Sequence, residues 1–511
     1  MALGAYALIF GLFSMVIKER LYLSEALVAL AYGVIIGPSV LDLIDPADWT
    51  DTPRFTLEYS RFIIGIQVMA AGVTLPKKYI VRELKSLMML LGPVMIWGWL
   101  LSGIILVLIF RISILEALLI TSCIAPTDPV LANSVIQGKF AEKHVPKHVR
   151  DLISCESGAN DGLGYPFLYF ALYLLRYQFG EAISRWALVT LLWQIGMSIV
   201  IGLFVGWGAR HLLRYSTDRG WIDKESFISF TIALTFFILG GVAMIGSDDI
   251  LACFIAGNSL TWDDWFREQT LEAHFQEILD MLFNLSFFVY FGTIIPWRSY
   301  IDNPYPLITP ARLITSSLMI LVFKRLPAVL AISPLTPSLK TFRESVFTGW
   351  FGPSGVGSMF YCMVIYYEIH EAGPQDIVSK EVIFIIVTST VVTSVIVHGI
   401  TIPMLYLGQT IKKTRIQVPG VVNRALTPTA EFLESVLNKP YRRSQNGKAA
   451  SVCTEPSSSH RPLLSSNADG SRNGFRALSK RPGDRNQPEQ RHIQISSSYS
   501  EYTNLNIGSS R

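Results

Sequence analysis

Long apolar runs joined by short polar connections most strongly limit what this 511-residue chain can fold into. A bilayer core of about 30 Å is crossed by roughly 20 apolar residues of helix, and by fewer where a helix is broken. Only 16% of the residues are charged, against about 25% in soluble globular chains. We therefore predict an all-α polytopic membrane protein rather than a soluble enzyme or a nucleic-acid binder. The thirteen predicted spans, numbered in chain order, lie near residues 3–17, 22–43, 56–75, 84–110, 113–136, 151–176, 186–213, 226–246, 248–260, 276–296, 308–331, 342–369 and 380–408.

The charges between the spans predict the orientation, because short cytoplasmic loops are enriched in Lys and Arg. The connections after spans 1, 3, 5 and 7 are basic, whereas the one after span 2 contains Asp42, Asp45, Asp48 and Asp51. This pattern places the N-terminus outside and the C-terminal end in the cytoplasm. Span 9, at 248–260, is the weakest, and merging it with span 8 would reverse every later helix.

The C-terminal segment differs from the rest in composition. Residues 441–511 contain eleven Lys or Arg and five Asp or Glu, so their charge of +6 exceeds the +4 of the whole chain. The segment is rich in Ser, Asn, Arg and Pro and has too few large apolar residues to offset its ordering entropy. We predict a transmembrane domain at 1–410, a basic juxtamembrane segment at 411–440 and a disordered cytoplasmic tail at 441–511. The tail either docks cytoplasmic regulators or is a dispensable extension, and its basic excess implies no nucleic-acid partner.

Span 5 contains two prolines, Pro126 and Pro129, at mid-membrane depth. Proline has no backbone donor, so the helix should be broken there and leave carbonyl groups free. Irregular backbone at that depth persists only beside a polar cavity. Free carbonyls, the Asp128 carboxylate and the Thr127 hydroxyl suit a hard monovalent cation. The alternative is a simple proline kink with a hydrogen-bonded Asp128.

Span 6 is polar on one face. At about 100° per residue, Ser157, Asn160 and Asp161 share a face, whereas Glu156 points about 140° away from Asp161, toward another neighbour. Ionisable residues at this depth are costly and tend to mark ion pathways. The shared face therefore predicts ligation. The alternative, a polar packing seam, does not account for an unpaired carboxylate in the bilayer.

Span 11 holds two adjacent cations, Lys324 and Arg325, several residues from either end. A single long basic side chain can extend to the interface, but two adjacent ones indicate that one turns inward. We predict that Arg325 turns inward to pair with Glu156, because arginine keeps its charge at any pH. The alternative is that both side chains extend to the interface.

Span 12 contains a second break, made by Gly352, Pro353, Gly355 and Gly357. If spans 1 to 6 and 8 to 13 form two inverted six-helix repeats, the breaks in spans 5 and 12 occupy matching positions. Matched interrupted segments are the best sequence indication of a transporter site. Crossed broken helices would bring together two half-helix N-termini, which Asp128 can neutralise, and two C-termini, which a cation can neutralise.

Taken in order, these motifs resemble the fungal plasma-membrane Na+/H+ antiporters of the monovalent cation/proton antiporter superfamily. The resemblance covers residues 20–410 and rests on Thr-Asp-Pro at 127–129, Glu-Ser-Gly-Ala-Asn-Asp-Gly at 156–162, Arg325 and the Phe-Gly-Pro segment at 351–357. It implies a homodimer in the plasma membrane that works by elevator-like alternating access. It also implies a dimerisation subdomain and a core subdomain, and the core includes 113–176 and 308–408.

The resemblance further implies the roles of the site residues. Asp161 is expected to bind either a cation or a proton, and Arg325 to pair with the span-6 Glu. Around Asp161 the resemblance places Asp128, Thr127, Ser157, Glu156 and Asn160. Asp248 and Asp249 resemble acidic residues of the fungal branch, and are either a pathway pair or an exposed helix cap.

The expected activity is exchange of cytoplasmic Na+ or Li+ for external H+, serving salt tolerance and pH homeostasis. Because Asn160 rather than a second carboxylate precedes Asp161, we expect one cation to exchange for one proton. No cofactor is expected beyond the transported ion. A K+/H+ or broad alkali-cation exchanger is the main alternative. A cation channel would need a filter motif that the sequence lacks, and an intramembrane aspartyl protease would use Asp128 and Asp161 but lacks the Gly-x-Gly-Asp order.

Overall fold

All regular secondary structure in the computed structural model is helical within the residues that it describes. These residues are 2–21, 23–129, 131–132, 145–270, 282–283, 285–371 and 379–416, and no β-strand occurs within them. The predicted all-α class is therefore confirmed. The predicted tail at 441–511 and most of the juxtamembrane segment at 411–440 lie outside the described residues.

The N-terminal part of the chain contains helices of very different length. Their bounds are α1 Ala2–Met15, α2 Glu25–Ile36, α3 Thr52–Thr74, α4 Tyr79–Arg82, α5 Leu84–Met89, α6 Met95–Phe110, α7 Ile114–Ile124, α8 Lys147–Gly162, α9 Tyr165–Arg176 and α10 Phe179–Arg185. Short π-helical segments extend three of them without a break, namely Val16–Arg20 after α1, Leu90–Val94 between α5 and α6, and Trp186–Gly196 after α10. A single 3-10 turn, Pro46–Asp48, precedes α3.

The C-terminal part continues the same architecture. Its helices are α11 Met197–Asp218, α12 Lys224–Met244, α13 Asp249–Leu260, α14 Trp265–Thr270, α15 Leu285–Ile294, α16 Trp297–Ile301, α17 Pro310–Phe323, α18 Leu326–Ile332, α19 Phe342–Trp350, α20 Val356–Glu371 and α21 Lys380–Ile416. A 3-10 turn at Ser333–Leu335 follows α18.

Five stretches are long and apolar enough to cross a bilayer, judged by length and composition within the described residues. They are Leu84–Phe110, Phe179–Asp218, Glu225–Met244, Pro310–Leu335 and Lys380–Thr401. The most apolar window of Lys380–Thr401 is 72% buried inside the protein, against 17% for Phe179–Asp218. The first therefore lies in the interior of the bundle, and the second lies on its periphery.

Within the described residues, four of the predicted spans are interrupted, where two breaks were expected. The breaks expected in spans 5 and 12 are present, at 125–128 and 351–355. In addition, span 6 is divided between α8 and α9, and span 11 is divided at Lys324 and Arg325. Span 9 is a separate helix, α13, because Gly246 adopts a left-handed conformation (φ +71°) and turns the chain after α12.

Glycines allow the closest helix contacts. A Cβ added at Gly292 of α15 would lie 2.6 Å from the carbonyl oxygen of Leu30 in α2. A Cβ at Gly72 of α3 would lie 2.6 Å from the carbonyl oxygen of Phe254 in α13. Small residues let membrane helices approach until their backbones touch. These contacts fix α2 on α15 and α3 on α13.

Gly292→Ala should therefore lower the thermal unfolding temperature of the detergent-purified protein. The added methyl group must push α2 and α15 apart, and overpacking of this kind costs about 1–3 kcal/mol. The matched control is Gly240→Ala in α12, where a Cβ would have no atom within 4 Å. Equal unfolding temperatures for the two variants would contradict the contact.

Candidate ion-binding site

The two extended breaks cross each other in the middle of the protein. The backbone N–H of Asp128 donates to the carbonyl oxygen of Pro353 over 2.8 Å. Glycine is needed beside this crossing, since a Cβ at Gly355 would lie 2.5 Å from the carboxylate carbon of Asp128, and one at Gly352 would overlap the side chain of Arg325. The crossing therefore depends on the two glycines predicted to break span 12.

Asp128 joins the N-terminus of α20 to the helical backbone that resumes at residue 129 after the first break. Its Oδ2 accepts a hydrogen bond from the backbone N–H of Leu131 over 2.9 Å, and its Oδ1 accepts one from the backbone N–H of Val356 over 3.1 Å. Val356 is the first residue of α20. A carboxylate is favourable at a helix N-terminus because it accepts the free N–H groups and faces the positive end of the dipole. One buried carboxylate thus satisfies both half-helices.

Basic side chains donate to backbone carbonyl oxygens at the two half-helix C-termini. Lys324 Nζ donates to the carbonyl oxygen of Ile124, the last residue of α7, and lies 3.4 Å from the carbonyl oxygen of Pro126. Arg325 Nε donates over 2.9 Å to the carbonyl oxygen of Thr348 in the last turn of α19. Both side chains are buried, so neither extends to a membrane interface. The sequence predicted that one basic side chain turns inward, and in the structure both do.

His398 of α21 also contacts the C-terminal end of α19. Its Nε2 lies 3.1 Å from the carbonyl oxygen of Trp350, the last residue of α19, and its Nδ1 lies 2.9 Å from the carbonyl oxygen of Ser394. The Ser394 hydroxyl in turn accepts a hydrogen bond from the backbone N–H of Ser354 over 2.9 Å. His398 was not predicted as a site residue, although a lone histidine inside an apolar span is visible in the sequence.

Arg325 also forms the predicted pair with Glu156. Its two terminal guanidinium nitrogens donate separately to the two carboxylate oxygens, and both side chains are almost fully buried. A planar guanidinium fits a carboxylate in this two-point geometry, which a lysine cannot reproduce. The pair connects α8 to the junction between α17 and α18, so it positions the helix that carries the polar face.

The polar face of α8 is hydrogen-bonded to the first break, at 125–128. Asn160 Nδ2 donates to Thr127 Oγ1 over 2.6 Å, and the backbone N–H of Thr127 donates to Asn160 Oδ1 over 3.1 Å. Ser157 Oγ lies 3.3 Å from the same Thr127 hydroxyl. The predicted residues Ser157 and Asn160 therefore both contact Thr127, and Asn160 makes a two-point hydrogen-bonded clamp without carrying a charge.

Asp161 differs from its neighbours because its carboxylate is unsatisfied. The residue is 1% exposed, and neither carboxylate oxygen has a hydrogen-bond partner in the described part of the chain. Its main-chain carbonyl accepts a hydrogen bond from the Tyr361 hydroxyl, which fixes the last turn of α8. A Cβ at Gly357 would lie 2.5 Å from Asp161 Oδ1, so the carboxylate faces the first turn of α20.

A bare carboxylate in a dry interior is costly unless a proton or a cation neutralises it. The crossing also contains carboxylate, hydroxyl and backbone carbonyl oxygens, which suit a hard alkali cation. Four cysteines of the described chain are buried and free, and its residues include no group of three His, Cys, Asp or Glu placed to hold a metal ion. The arrangement therefore fits reversible binding of one monovalent cation or one proton.

Asp248 and Asp249 lie away from this crossing, at the start of α13. Asp248 caps the helix by accepting the backbone N–H of Leu251 at Oδ1 over 2.9 Å, and Asp249 pairs with Arg61 over 2.6 Å. Asp248 is 2% and Asp249 3% exposed, so the cap is buried rather than exposed. Their place on an ion pathway stays a prediction.

Comparison with known proteins places the whole helical region in one group. A family model described as "Sodium/hydrogen exchanger, transmembrane" matches residues 4–408. The Na(+)/H(+) antiporter 2 of Zygosaccharomyces rouxii is 38% identical over 423 residues, which are 80% of this chain and 52% of that protein. The chain thus spans about half the length of this relative. A Na(+)/H(+) antiporter of Schizosaccharomyces pombe is 33% identical over 445 residues, or 84% of this chain and 93% of that protein.

A solved structure has the same fold. The sodium proton antiporter MjNhaP1 from Methanocaldococcus jannaschii superposes with a TM-score of 0.60 at 21% identity, covering 80% of this chain and 98% of that one.

Arg325→Ala should strongly destabilise the protein, because it leaves the buried Glu156 carboxylate unpaired at a cost of about 3–5 kcal/mol. The matched control is Arg185→Ala, which removes an exposed pair with Glu181 and should cost at most about 1 kcal/mol. Thermal unfolding in detergent and purified yield measure both. An Arg325→Ala protein as stable as the control would contradict the role of the buried pair.

Proposed function

Because the chain belongs to the transmembrane sodium/hydrogen exchanger family, we propose that it is a secondary active antiporter that exchanges cytoplasmic Na+ or Li+ for external H+. Relatives of the chain whose names state Na(+)/H(+) antiport support this assignment. The transported ions are the only ligands that the proposal requires, and no cofactor takes part.

One observation carries the proposal, namely the buried Asp161 carboxylate without a hydrogen-bond partner among the described residues. Every other charged group at the crossing is already committed. Asp128 caps two helices, Glu156 pairs with Arg325, and Lys324 caps α7. Asp161 is the group left to accept an exchangeable charge.

Competition for Asp161 couples the two fluxes. A bound Na+ and a bound proton each neutralise the carboxylate, so the two cannot occupy it together. Carrying an isolated charge through a low-dielectric interior is costly, which allows only the neutralised site to cross readily. Net movement of Na+ in one direction therefore requires return of the site with a proton.

The surrounding residues keep the site rigid while it changes occupant. The Asp128 cap, the Lys324 and Arg325 contacts and the Asn160 clamp hold both breaks without using Asp161. Asn160 is neutral and fully engaged with Thr127. A single exchangeable charge then predicts electroneutral exchange of one cation for one proton.

The proposal extends to the location, orientation and assembly of the protein. The protein is a multi-pass protein of the plasma membrane, with its N-terminus outside and its C-terminal tail in the cytoplasm, where regulators dock. Two copies form a homodimer, in which the core that includes 113–176 and 308–408 moves against a dimerisation subdomain. The alternating charge of the connections and the resemblance to fungal antiporters support this arrangement.

The protease alternative is disfavoured by the geometry. An aspartyl protease needs two carboxylates free to share a proton and a water molecule. Both oxygens of Asp128 instead accept backbone N–H groups of two helices. K+/H+ or broad alkali-cation exchange uses the same Asp161 and remains the competing assignment.

Asp161→Asn should abolish exchange and leave the fold intact, since the carboxylate makes no hydrogen bond with the described residues that the amide could lose. The comparison variant is Asp128→Asn, which removes an acceptor from a helix N-terminus and should cost about 1–3 kcal/mol. Sodium-driven proton flux in proteoliposomes and thermal unfolding test both variants. Proton flux retained by folded Asp161→Asn protein would refute the assigned role.

A cation panel separates the competing exchangers. Proteoliposomes challenged in turn with Li+, Na+ and K+ should move protons with Li+ and Na+ and much less with K+. An imposed membrane potential should leave the rate unchanged, because no net charge crosses. Potassium-driven flux as fast as the sodium-driven flux would assign a K+/H+ or broad exchanger. A rate that follows the potential would contradict exchange of one cation for one proton.

A further inference from the structure

A second cavity lies at the start of α13, separate from the crossed breaks. Its volume is about 250 Å³, and its lining includes Arg61, Tyr165, Gln194, Ser247, Asp248 and Phe360. The half-exposed side chain of Glu58 also lines it, so the cavity reaches the protein surface. The charge pattern of the connections predicts that this surface is the external one.

The two adjacent carboxylates in this cavity are not equivalent. Asp249 is compensated by Arg61, whose other donors are committed to the Glu58 carboxylate and the Leu239 carbonyl. Asp248 uses only Oδ1, as the cap of α13, and its buried Oδ2 has no hydrogen-bond partner among the described residues. The cavity therefore contains one carboxylate whose charge is not matched by a cation.

Gln194 provides a second side-chain oxygen that has no hydrogen-bond partner among the described residues. Its Oε1 is buried and accepts no hydrogen bond in the described chain. The backbone there is already satisfied, because the Ser247 hydroxyl donates over 2.9 Å to the Gln194 carbonyl. Two oxygen acceptors without hydrogen-bond partners in the described chain line one cavity, and one of them belongs to a carboxylate, so they provide ligands for a hard cation.

The start of α13, which lines the cavity, packs against the residue that follows Asp161. A Cβ at Gly162, the residue after Asp161, would lie 2.9 Å from the Leu251 nitrogen, and that N–H donates to Asp248. Asp248 caps α13, which lies outside the proposed moving core. A cation bound to Asp248 would therefore lie next to the helix that carries Asp161.

From these contacts we propose that Asp248 and Gln194 form an outer binding site for an alkali cation, distinct from Asp161 and used when the cation enters or leaves on the external side. The proposal rests on the proposed exchange function for its role, but not for its binding chemistry. Asp249 is the counter-ion of Arg61 and does not bind the transported ion.

The binding test uses a variant that lacks the Asp161 carboxylate. Purified full-length Asp161→Asn protein is heated in NaCl or in choline chloride at equal ionic strength. A cation that binds only the folded protein raises its unfolding temperature. Sodium should still stabilise Asp161→Asn, and adding Asp248→Asn or Gln194→Leu should remove that sodium-specific shift. The matched control is Asp249→Asn in the same background, which should unfold earlier in both salts and keep the difference between them.

The transport test compares the Na+ affinity on the external side with that on the cytoplasmic side. In membrane vesicles of known orientation, Asp248→Asn should raise the half-saturating Na+ concentration about tenfold from the external side, as expected for loss of one charged ligand. The value from the cytoplasmic side should stay unchanged, and Asp248→Glu should restore external affinity.

Two outcomes would overturn the outer site. One is folded Asp161→Asn protein that sodium does not stabilise, and the other is an Asp248→Asn effect that is equal from both sides. Either result, obtained while the unmodified protein exchanges Na+ for H+, defeats the outer site alone. An unmodified protein that exchanges neither Na+ nor K+ for H+ defeats the proposed function instead, and the sodium-specific stabilisation then decides the outer site independently.

Discussion

The structure depends on how four helix ends are satisfied where the two interrupted segments cross. Backbone groups away from water must find partners within the protein. Asp128 accepts N–H groups at both N-termini, while Lys324, Arg325 and His398 contact carbonyl groups at both C-termini. Charges of opposite sign therefore occupy the two kinds of helix end, as the helix dipole favours. Without them, irregular backbone could not persist at this depth.

This solution leaves Asp161 apart from the structural network. The Asn160 clamp and the Glu156–Arg325 pair fix α8 on either side of it, so its carboxylate is held in place without being used. Buried polar groups are usually satisfied, and an exception is costly to keep. An exchanger needs such an exception, because a carboxylate already bonded to a fixed partner could not alternate between a metal ion and a proton.

The sequence predicted the features that arise from local chemistry. Prolines and glycines identified both breaks, since Pro126, Pro129 and Pro353 remove backbone donors wherever they lie. Helical spacing placed Ser157, Asn160 and Asp161 on one face. The division of span 11 at Lys324 was not predicted, although Pro327, which lacks the backbone donor that would bond the Phe323 carbonyl, is visible in the sequence. The inward turn of Lys324 follows from its contact with Ile124, about 200 residues away in the sequence.

By itself, the sequence determined that the chain is an all-helical membrane protein with two interrupted helices and an ionisable group between them, because hydrophobic length and missing backbone donors are properties of neighbouring residues. The tertiary structure alone decided which carboxylate is used up and which is left free. Asp128, Glu156, Asp161, Asp248 and Asp249 are chemically similar in the sequence. Only the packing of distant helices gives three of them full partners, while Asp161 has none for its carboxylate and Asp248 keeps one oxygen unsatisfied in the described chain.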